Sequence, residues 1–145
     1  MIVGIAWPTE TLTELESDDW GPPTYPSYVV TTCHKLRYKP LEDFTAEDLR
    51  LMVGQEISLP SLMPMALDVL ELVDPFAGGD MNRGTLLLHA LSVDKSFWQK
   101  YPTHWYRMTV ILVDLYFMRE FIENELMPAA EAFKLAKPIE STTLP

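Results

Sequence analysis

The chain has 145 residues, with 21 acidic and 11 basic side chains and a formal net charge of −10. At this length, and with 48% hydrophobic residues, we expect a single domain over residues 1–145 with a substantial buried core. The acidic balance argues against nonspecific nucleic-acid binding and against docking on an anionic membrane, because both depend on clustered Lys and Arg.

The N-terminal part of the chain is predicted to contain two helices joined by a Pro-rich connector. A short helix is expected over residues 10–19, before the connector at residues 21–26. Ser27 can then cap a helix that runs to about Arg37. The β-branched run at residues 28–32 would also suit a strand. We favour a helix, because the sequence continues to Arg37 without a turn signal.

The middle of the chain carries the clearest helix signals. Thr45, with Asp48 three residues later, forms a variant of the capping box and predicts a helix over residues 46–53. A longer helix is predicted over residues 61–72, with Pro64 tolerated in its first turn. The apolar stripe of this longer helix consists of Leu62, Met65, Ala66, Val69, Leu70 and Val73.

Two short helices are predicted after the glycine-containing loop at residues 78–82. The first is expected over residues 83–91. The second is expected over residues 93–100, with Ser92 as its N-cap. Pro102 should then break the chain, because proline removes a backbone donor and disfavours helical backbone in the residue before it.

The longest helix is predicted over residues 104–126, with Thr103 as its N-cap. It is apolar nearly all round, which is typical of a helix at the centre of a bundle. A final helical stretch or a bend would follow at residues 129–137, and residues 1–9 and 138–145 are expected to be loose. The predicted fold is therefore all-α, a single-domain bundle of several short helices around one longer C-terminal helix. One face of that helix is expected to carry Trp105, Met108, Leu112, Leu115 and Tyr116.

A distinctive order of residues begins at Leu36. It is L-R-x-K-P-L-x-D-F-T-x-E-D-L-R-x-M-x-x-Q, followed from Leu59 by L-P-x-L-x-P-x-A-L-x-x-L. Flanking segments agree in order and spacing, among them W-G-P-P upstream and D-P-F downstream. Over roughly residues 10–115 the chain resembles a family of immunity proteins from contact-dependent growth inhibition (CDI) systems. It departs at Thr85, where the family pattern G-D-L-L has an acidic residue.

The resemblance implies a non-catalytic protein that binds the toxic C-terminal domain of a CDI effector and neutralises it by stoichiometric occlusion. Many such toxins are nucleases, so the expected partner is a basic nuclease domain. A net charge of −10 suits a basic partner, because opposite potentials raise the association rate. Acidity that serves only solubility is the alternative explanation of the charge. No cofactor and no metal are expected.

The N-terminal acidic segment is the candidate binding surface. Its carboxylates precede the first basic residue, Lys35, and aromatic side chains lie among them. Aromatic residues flanked by charge are typical of interfaces. The residues predicted to contact the partner are Glu14, Glu16, Asp18, Asp19 and Trp20, with Asp74 and Asp80 on a loop as the second choice.

The histidines and the single cysteine are the residues on which a catalytic function would depend. A small hydrolytic enzyme would use His89 or His104 with a carboxylate, and a Cys/His pair would use Cys33. The histidines lack the spacing of a metal site, and Cys33 lies on an apolar stripe typical of a core residue. A non-catalytic helical regulatory subunit is the remaining alternative. The Met-rich apolar stripes are also compatible with a homodimer.

The location of the protein is predicted from segments that the sequence lacks. No apolar run approaches the ~20 residues of a membrane span, and the short apolar stretch before residue 8 is a poor secretory signal. The single cysteine, Cys33, excludes an internal disulfide. We therefore expect a cytoplasmic protein.

Overall fold

The computed structural model describes residues 4–78 and 83–139. Within these ranges the regular structure is helical and no β-strand is present, which confirms the all-α prediction. A 3₁₀ turn covers Leu41–Asp43 and a π-helical turn covers Ile122–Leu126. The α-helices are α1 (Leu12–Glu16), α2 (Tyr28–Leu36), α3 (Ala46–Gly54), α4 (Leu59–Leu72), α5 (Thr85–Leu91), α6 (Lys95–Lys100), α7 (Pro102–Phe121) and α8 (Met127–Leu135).

Helix α1 is shorter than predicted. A capping box begins it, in which the Thr11 hydroxyl accepts from the Glu14 N–H at 3.1 Å and the Glu14 carboxylate accepts from the Thr11 N–H at 3.2 Å. Ser17 ends it in the left-handed region at φ 50°. The N–H groups of Ser17 and Asp18 turn back to the carbonyls of Glu14 and Thr13. This closure satisfies the last carbonyls of the helix and stops it before residue 19.

The caps predicted for α2 and α3 are confirmed. The Ser27 hydroxyl accepts from the Val30 N–H at 3.0 Å, and the segment after it is helical and not a strand. Thr45 and Asp48 form the reciprocal capping box at the start of α3. Both caps are set by residues within three positions of each other, so local sequence was sufficient to predict them.

Helix α4 lies at the centre of the core. It begins at Leu59, earlier than predicted. Pro60 lies in its first turn, where the backbone N–H of a residue has no acceptor within the helix, so proline is tolerated there. Pro64 consequently lies inside the helix and not in its first turn. Val73, predicted to point inward, follows the last helical residue and is 55% exposed. The buried residues of α4 are Leu59, Leu62, Met63, Met65, Ala66, Leu67, Val69 and Leu70.

Helices α3 and α5 approach each other closely at Gly54. A Cβ atom added to Gly54 would lie 2.4 Å from Nδ1 of His89. His89 Nδ1 is 3.0 Å from the carbonyl oxygen of Arg50, one turn before Gly54. The ring nitrogen therefore donates to this backbone acceptor, and the ring occupies the space that a larger residue would need.

Two predicted caps were wrong. Asp94, and not Ser92, caps α6 by accepting from the Ser96 N–H at 2.9 Å. The Ser92 hydroxyl instead donates to the Leu88 carbonyl at the end of α5. Helix α7 begins at Pro102, so Thr103 lies within the helix. Proline has a backbone φ suited to the first helical position and needs no donor there.

The described chain divides between Met108 and Thr109 into two compact units. The first unit contains α1 to α6 and the start of α7. The second contains the rest of α7, the π-helical turn and α8. In the π-helical turn the Met127 N–H donates to the Ile122 carbonyl five residues back. Pro128 follows directly and has no N–H, so a widened turn relieves the clash that proline causes inside a regular helix.

Helix α7 differs from its prediction as a central helix. Only Met108 and Ile111 are buried among its residues. Trp105 is 47% exposed and Tyr116 is 57% exposed, although both were predicted to share one face with Met108, which is buried. Apolar periodicity marks a face that avoids water, but it does not show which surface covers that face.

Residues 7 and 8 are anchored to the core, so the looseness expected up to residue 9 does not extend to them. Trp7 is buried, and its indole N–H donates to Asp68 at 2.9 Å. The Pro8 carbonyl accepts from the Glu42 N–H at 2.8 Å. At the other end, residues 137–139 follow α8 without regular structure, and residues 140–145 lie outside the described part of the chain. The single-domain organisation stays a prediction.

Candidate partner-binding surface

Arg37 is the buried residue around which the N-terminal acidic segment, residues 14–20, is organised. Its side chain is 1% exposed. Nη1 donates to the Glu16 carboxylate, and Nη2 donates to the Asp18 carbonyl at 2.8 Å. The guanidinium carbon lies 4.3 Å from the centroid of the Trp20 ring. A buried charge is tolerated only when it is paired in this way, so Arg37 ties the segment to the core.

Asp19 and Trp20 are fixed by further contacts. The Tyr38 hydroxyl donates to Asp19 Oδ1, which also accepts from the Gly21 N–H at 2.9 Å. These two hydrogen bonds, with that from Tyr38 the larger influence, lower the pKa of Asp19 below its ordinary value. The Trp20 indole N–H donates to Asp18 at 3.3 Å. Trp20 remains 38% exposed, so a fixed aromatic face is open to a partner.

The structure therefore brings the first-choice site residues together on the exposed surface. Glu14 completes the cap of α1, and Glu16 lies over Arg37 with its side chain 34% exposed. Of the second-choice residues, Asp74 accepts from the Phe76 N–H at 2.8 Å and so shapes its own turn. Asp80 lies outside the described residues.

An acidic cleft adjoins this segment and contains residues that sequence analysis missed. It has a volume of about 620 Å³ and is lined by Glu16, Glu56 and Asp94, with Lys100 as its basic member. Glu56 Oε1 accepts from the Asp94 N–H at 3.0 Å, which connects the end of α3 to the start of α6. The two carboxylates are 38 residues apart, so no spacing rule could have grouped them with Glu16.

A second cleft is aromatic. It has a volume of about 350 Å³ and lies between α6 and the start of α7. Trp105 is 47% exposed and Tyr106 is 64% exposed at this cleft. The lining residues are Lys95, Trp98, Gln99, Pro102, Trp105 and Tyr106.

The groups considered for catalysis have structural roles. His89 donates to a backbone carbonyl, as described above. His104 stacks against Tyr101, and burial, together with the positive charge of Arg107, lowers the pKa of His104. Cys33 is buried, and desolvation raises the pKa of its thiol. In residues 4–78 and 83–139, no cluster of His, Cys, Asp or Glu is placed to hold a metal ion.

The fold and this surface define a helical binding protein with a fixed acidic face. The sequence profile of a family described as CDI immunity proteins matches residues 14–108, and the chain belongs to this family. Members of the family are non-catalytic inhibitors, so the partner is a cognate CDI toxin. No curated protein and no solved structure matches the chain significantly. None of the helices in the described part of the chain is long and apolar enough to cross a membrane.

Proposed function

We propose that the chain binds the C-terminal domain of its cognate CDI toxin one to one in the cytoplasm and neutralises it by occlusion. The toxin domain is basic, as a nuclease is on the face that holds phosphates. The interface is centred on the N-terminal acidic segment, with Glu14, Glu16, Asp18, Asp19 and Trp20 as contact residues. The observation that carries this proposal is the fixing of that segment by buried Arg37.

Preorganisation is the physical reason for choosing this surface. Immobilising a free side chain on binding costs roughly 0.5–1.5 kcal/mol. Asp18, Asp19 and Trp20 already hold one another and their neighbours through hydrogen bonds and ring contacts. Much of the entropy that would be lost on ordering these side chains is therefore already lost when the protein folds. Each carboxylate keeps lone pairs that can accept from Lys or Arg of a partner.

The acidic cleft extends the proposed interface. Glu16 belongs both to the segment and to the cleft, where Glu56 and Asp94 supply further carboxylates. A volume of about 620 Å³ is large enough to admit an Arg or Lys side chain of the toxin. Bidentate pairing of a guanidinium with a carboxylate is the strongest such contact. Asp74 and Asp80 remain second-choice contacts.

Charge reversal tests the surface. The double variant Asp18→Lys/Asp19→Lys should weaken toxin binding at least tenfold and flatten its dependence on salt, because steering and pairing are both lost. The matched control is Glu42→Lys/Asp43→Lys, which makes the same change of net charge outside the segment. The control should lose much less affinity. Equal losses in both variants would show that overall charge, and not this surface, governs binding.

Toxin chemistry is tested with the purified toxin domain. If the toxin is a nuclease, its cleavage of RNA or DNA should cease when one equivalent of the immunity protein is added, and the inhibited complex should have one copy of the toxin per immunity chain. Residual cleavage at a large excess of inhibitor would contradict occlusion. Inhibition at a small fraction of one equivalent would contradict a stoichiometric mechanism.

A further inference from the structure

Ser58 lies at the N-cap of α4, yet its hydroxyl makes no hydrogen bond to that helix. An N-cap serine ordinarily accepts from the backbone N–H of the second or third helical residue. In α4 the second residue is Pro60, which has no N–H, and the third is Ser61, which donates to the Ser58 carbonyl at 3.0 Å. Helix capping therefore does not account for the hydroxyl of Ser58.

The Ser58 hydroxyl contacts Glu16 instead. It donates to the Glu16 carboxylate, whose two oxygens lie 2.9 and 3.0 Å from Ser58 Oγ. The same Oγ accepts from Arg37 Nη1 at 3.2 Å. Arg37 Nη1 also donates directly to Glu16. The carboxylate is thus held by two donors, one from the end of α2 and one from the start of α4, which are distant from it in sequence.

Glu16 keeps the capacity to accept from a partner. Its Oε1 accepts from both Arg37 and Ser58, whereas among the described residues Oε2 is shared only by the Ser58 hydroxyl. Each carboxylate oxygen has two lone pairs, so Oε2 can still accept from a Lys or an Arg. The Glu16 side chain is 34% exposed and lines the acidic cleft together with Ser58. The hydroxyl therefore fixes a carboxylate that a partner can reach.

The backbone of Ser58 is unfavourable for a serine. Its φ of 53° lies in the left-handed region, where the Cβ atom crowds the following carbonyl oxygen. Across the ranges that the structure describes, the non-glycine residues with positive φ are Ser17, Glu56 and Ser58. Glycine would adopt this backbone with less strain. Neither the helix nor the backbone therefore explains a serine at position 58, and the contact with Glu16 does.

We propose that Ser58 is a positioning residue for toxin binding, which holds the Glu16 carboxylate in the orientation that meets a basic side chain of the toxin. This inference rests on the proposed function, since it takes Glu16 as a contact residue. A free glutamate side chain samples several rotamers and loses that freedom when it is ordered. Ser58 restricts the rotamers before binding, so less entropy is lost in the complex.

Two substitutions of Ser58 should separate affinity from stability. Ser58→Gly removes the hydroxyl and relaxes the backbone, so its denaturation midpoint should stay close to that of wild type. It should weaken binding of the purified toxin domain by about tenfold, measured by titration calorimetry, because Glu16 must then be ordered in the complex. Ser58→Thr keeps the hydroxyl but places a β-branched residue at positive φ. It should unfold earlier and yet bind the toxin domain as tightly as wild type.

Ser27→Gly is the matched control. Ser27 is also an N-cap serine, but its hydroxyl accepts from the Val30 N–H at 3.0 Å within its own helix. Ser27→Gly should lower the denaturation midpoint slightly and leave toxin affinity unchanged.

A double-mutant cycle identifies the side chain through which Ser58 acts. Glu16→Gln keeps a side-chain oxygen that can accept from Arg37, but it removes the carboxylate. In a Glu16→Gln background, Ser58→Gly should weaken binding by less than about twofold, because the two changes remove the same contact with the toxin.

The outcomes separate this inference from the proposed function. Weak binding by Ser58→Gly at wild-type stability, with tight binding by Ser58→Thr, would support it. Full affinity in Ser58→Gly, while Asp18→Lys/Asp19→Lys binds weakly, would overturn the role of Ser58 and leave the proposed surface standing. Full affinity in both of these variants would contradict the proposed surface itself. Affinity that follows stability in both Ser58 variants, or losses that add to that of Glu16→Gln, would overturn the positioning of Glu16.

Discussion

The two units of this chain use their side chains in opposite ways. In the first unit a charged residue, Arg37, is 1% exposed, and its charge is met by Glu16, Asp18 and Trp20. In the second unit an apolar residue such as Phe117 is 70% exposed. In the first unit, polar contacts within the chain fix the surface segment. In the second unit, large apolar side chains remain exposed. Charged groups on the surface of the first unit are thus held in place by contacts within the chain, whereas the exposed groups of the second unit are mainly apolar.

Removing the buried charge should have the largest effect on stability. We expect Arg37→Met to lower the free energy of unfolding by about 3 kcal/mol, because it deletes the contacts that attach α1 and Trp20 to the core. Chemical denaturation measures this change. Arg119→Met is the matched control in the second unit. Arg119 is 62% exposed and lies 3.9 Å from Glu123, so its loss should cost less than about 0.5 kcal/mol.

Equal losses in Arg37→Met and Arg119→Met would contradict the contrast between the units. Toxin binding gives a second measurement. Arg37→Met should also weaken binding, since Asp18, Asp19 and Trp20 would no longer be held in place. If Arg37→Met remained stable but bound the toxin as tightly as wild type, the segment would not owe its binding geometry to Arg37.

Local sequence was sufficient to predict the caps of α2 and α3, because each cap joins residues three positions apart. The environment of Arg37 could not be predicted in this way. Glu16 lies 21 residues from Arg37 and Asp18 lies 19 residues from it. The acidic segment was predictable from composition, but the contacts that fix it depend on how α1 and α2 pack.

Helix α7 shows a second limit of sequence. Its apolar character nearly all round suggested a central position, and Trp105 and Tyr116 were predicted to share one apolar face. Trp105 is 47% exposed and Tyr116 is 57% exposed. Hydrophobic periodicity predicts that a face needs a partner. It does not show whether that face is covered, and the exposed fractions of these side chains appear only in the packed structure.

Glycine at position 54 should give the next largest effect. A Cβ there would lie 2.4 Å from His89 Nδ1, so Gly54→Ala should destabilise the first unit by about 2 kcal/mol through overpacking. Alanine is otherwise the better helix former. The opposite change in the second unit, Ala132→Gly, should cost about 1 kcal/mol through helix propensity alone, since Ala132 is exposed.

A double-mutant cycle identifies the cause of the Gly54→Ala effect. If the His89 ring is the obstacle, then Gly54→Ala should cost much less in a His89→Ala background, and the two changes should couple by more than about 0.5 kcal/mol. Purely additive losses would place the strain elsewhere. Unfolding free energies of the four proteins supply the measurement.

The smallest expected effect is a dependence of stability on pH that belongs to the first unit. Burial, followed by the charge of Arg107, lowers the pKa of His104 below the ordinary histidine value of about 6.5. Below pH 6.5, His104 is therefore protonated to a greater extent in the unfolded chain than in the folded protein. The unfolded state then holds more protons, so stability should fall as the pH drops through 6.5 toward the lower folded pKa. His104→Gln should remove this fall, measured by denaturation between about pH 7.5 and pH 5.5. That range lies above the pKa values of Asp19 and Asp94, which are lowered by hydrogen bonds. Residues 109–145 contain no histidine, so no histidine of the second unit titrates over the same range. Persistence of the fall in His104→Gln would assign it to another group.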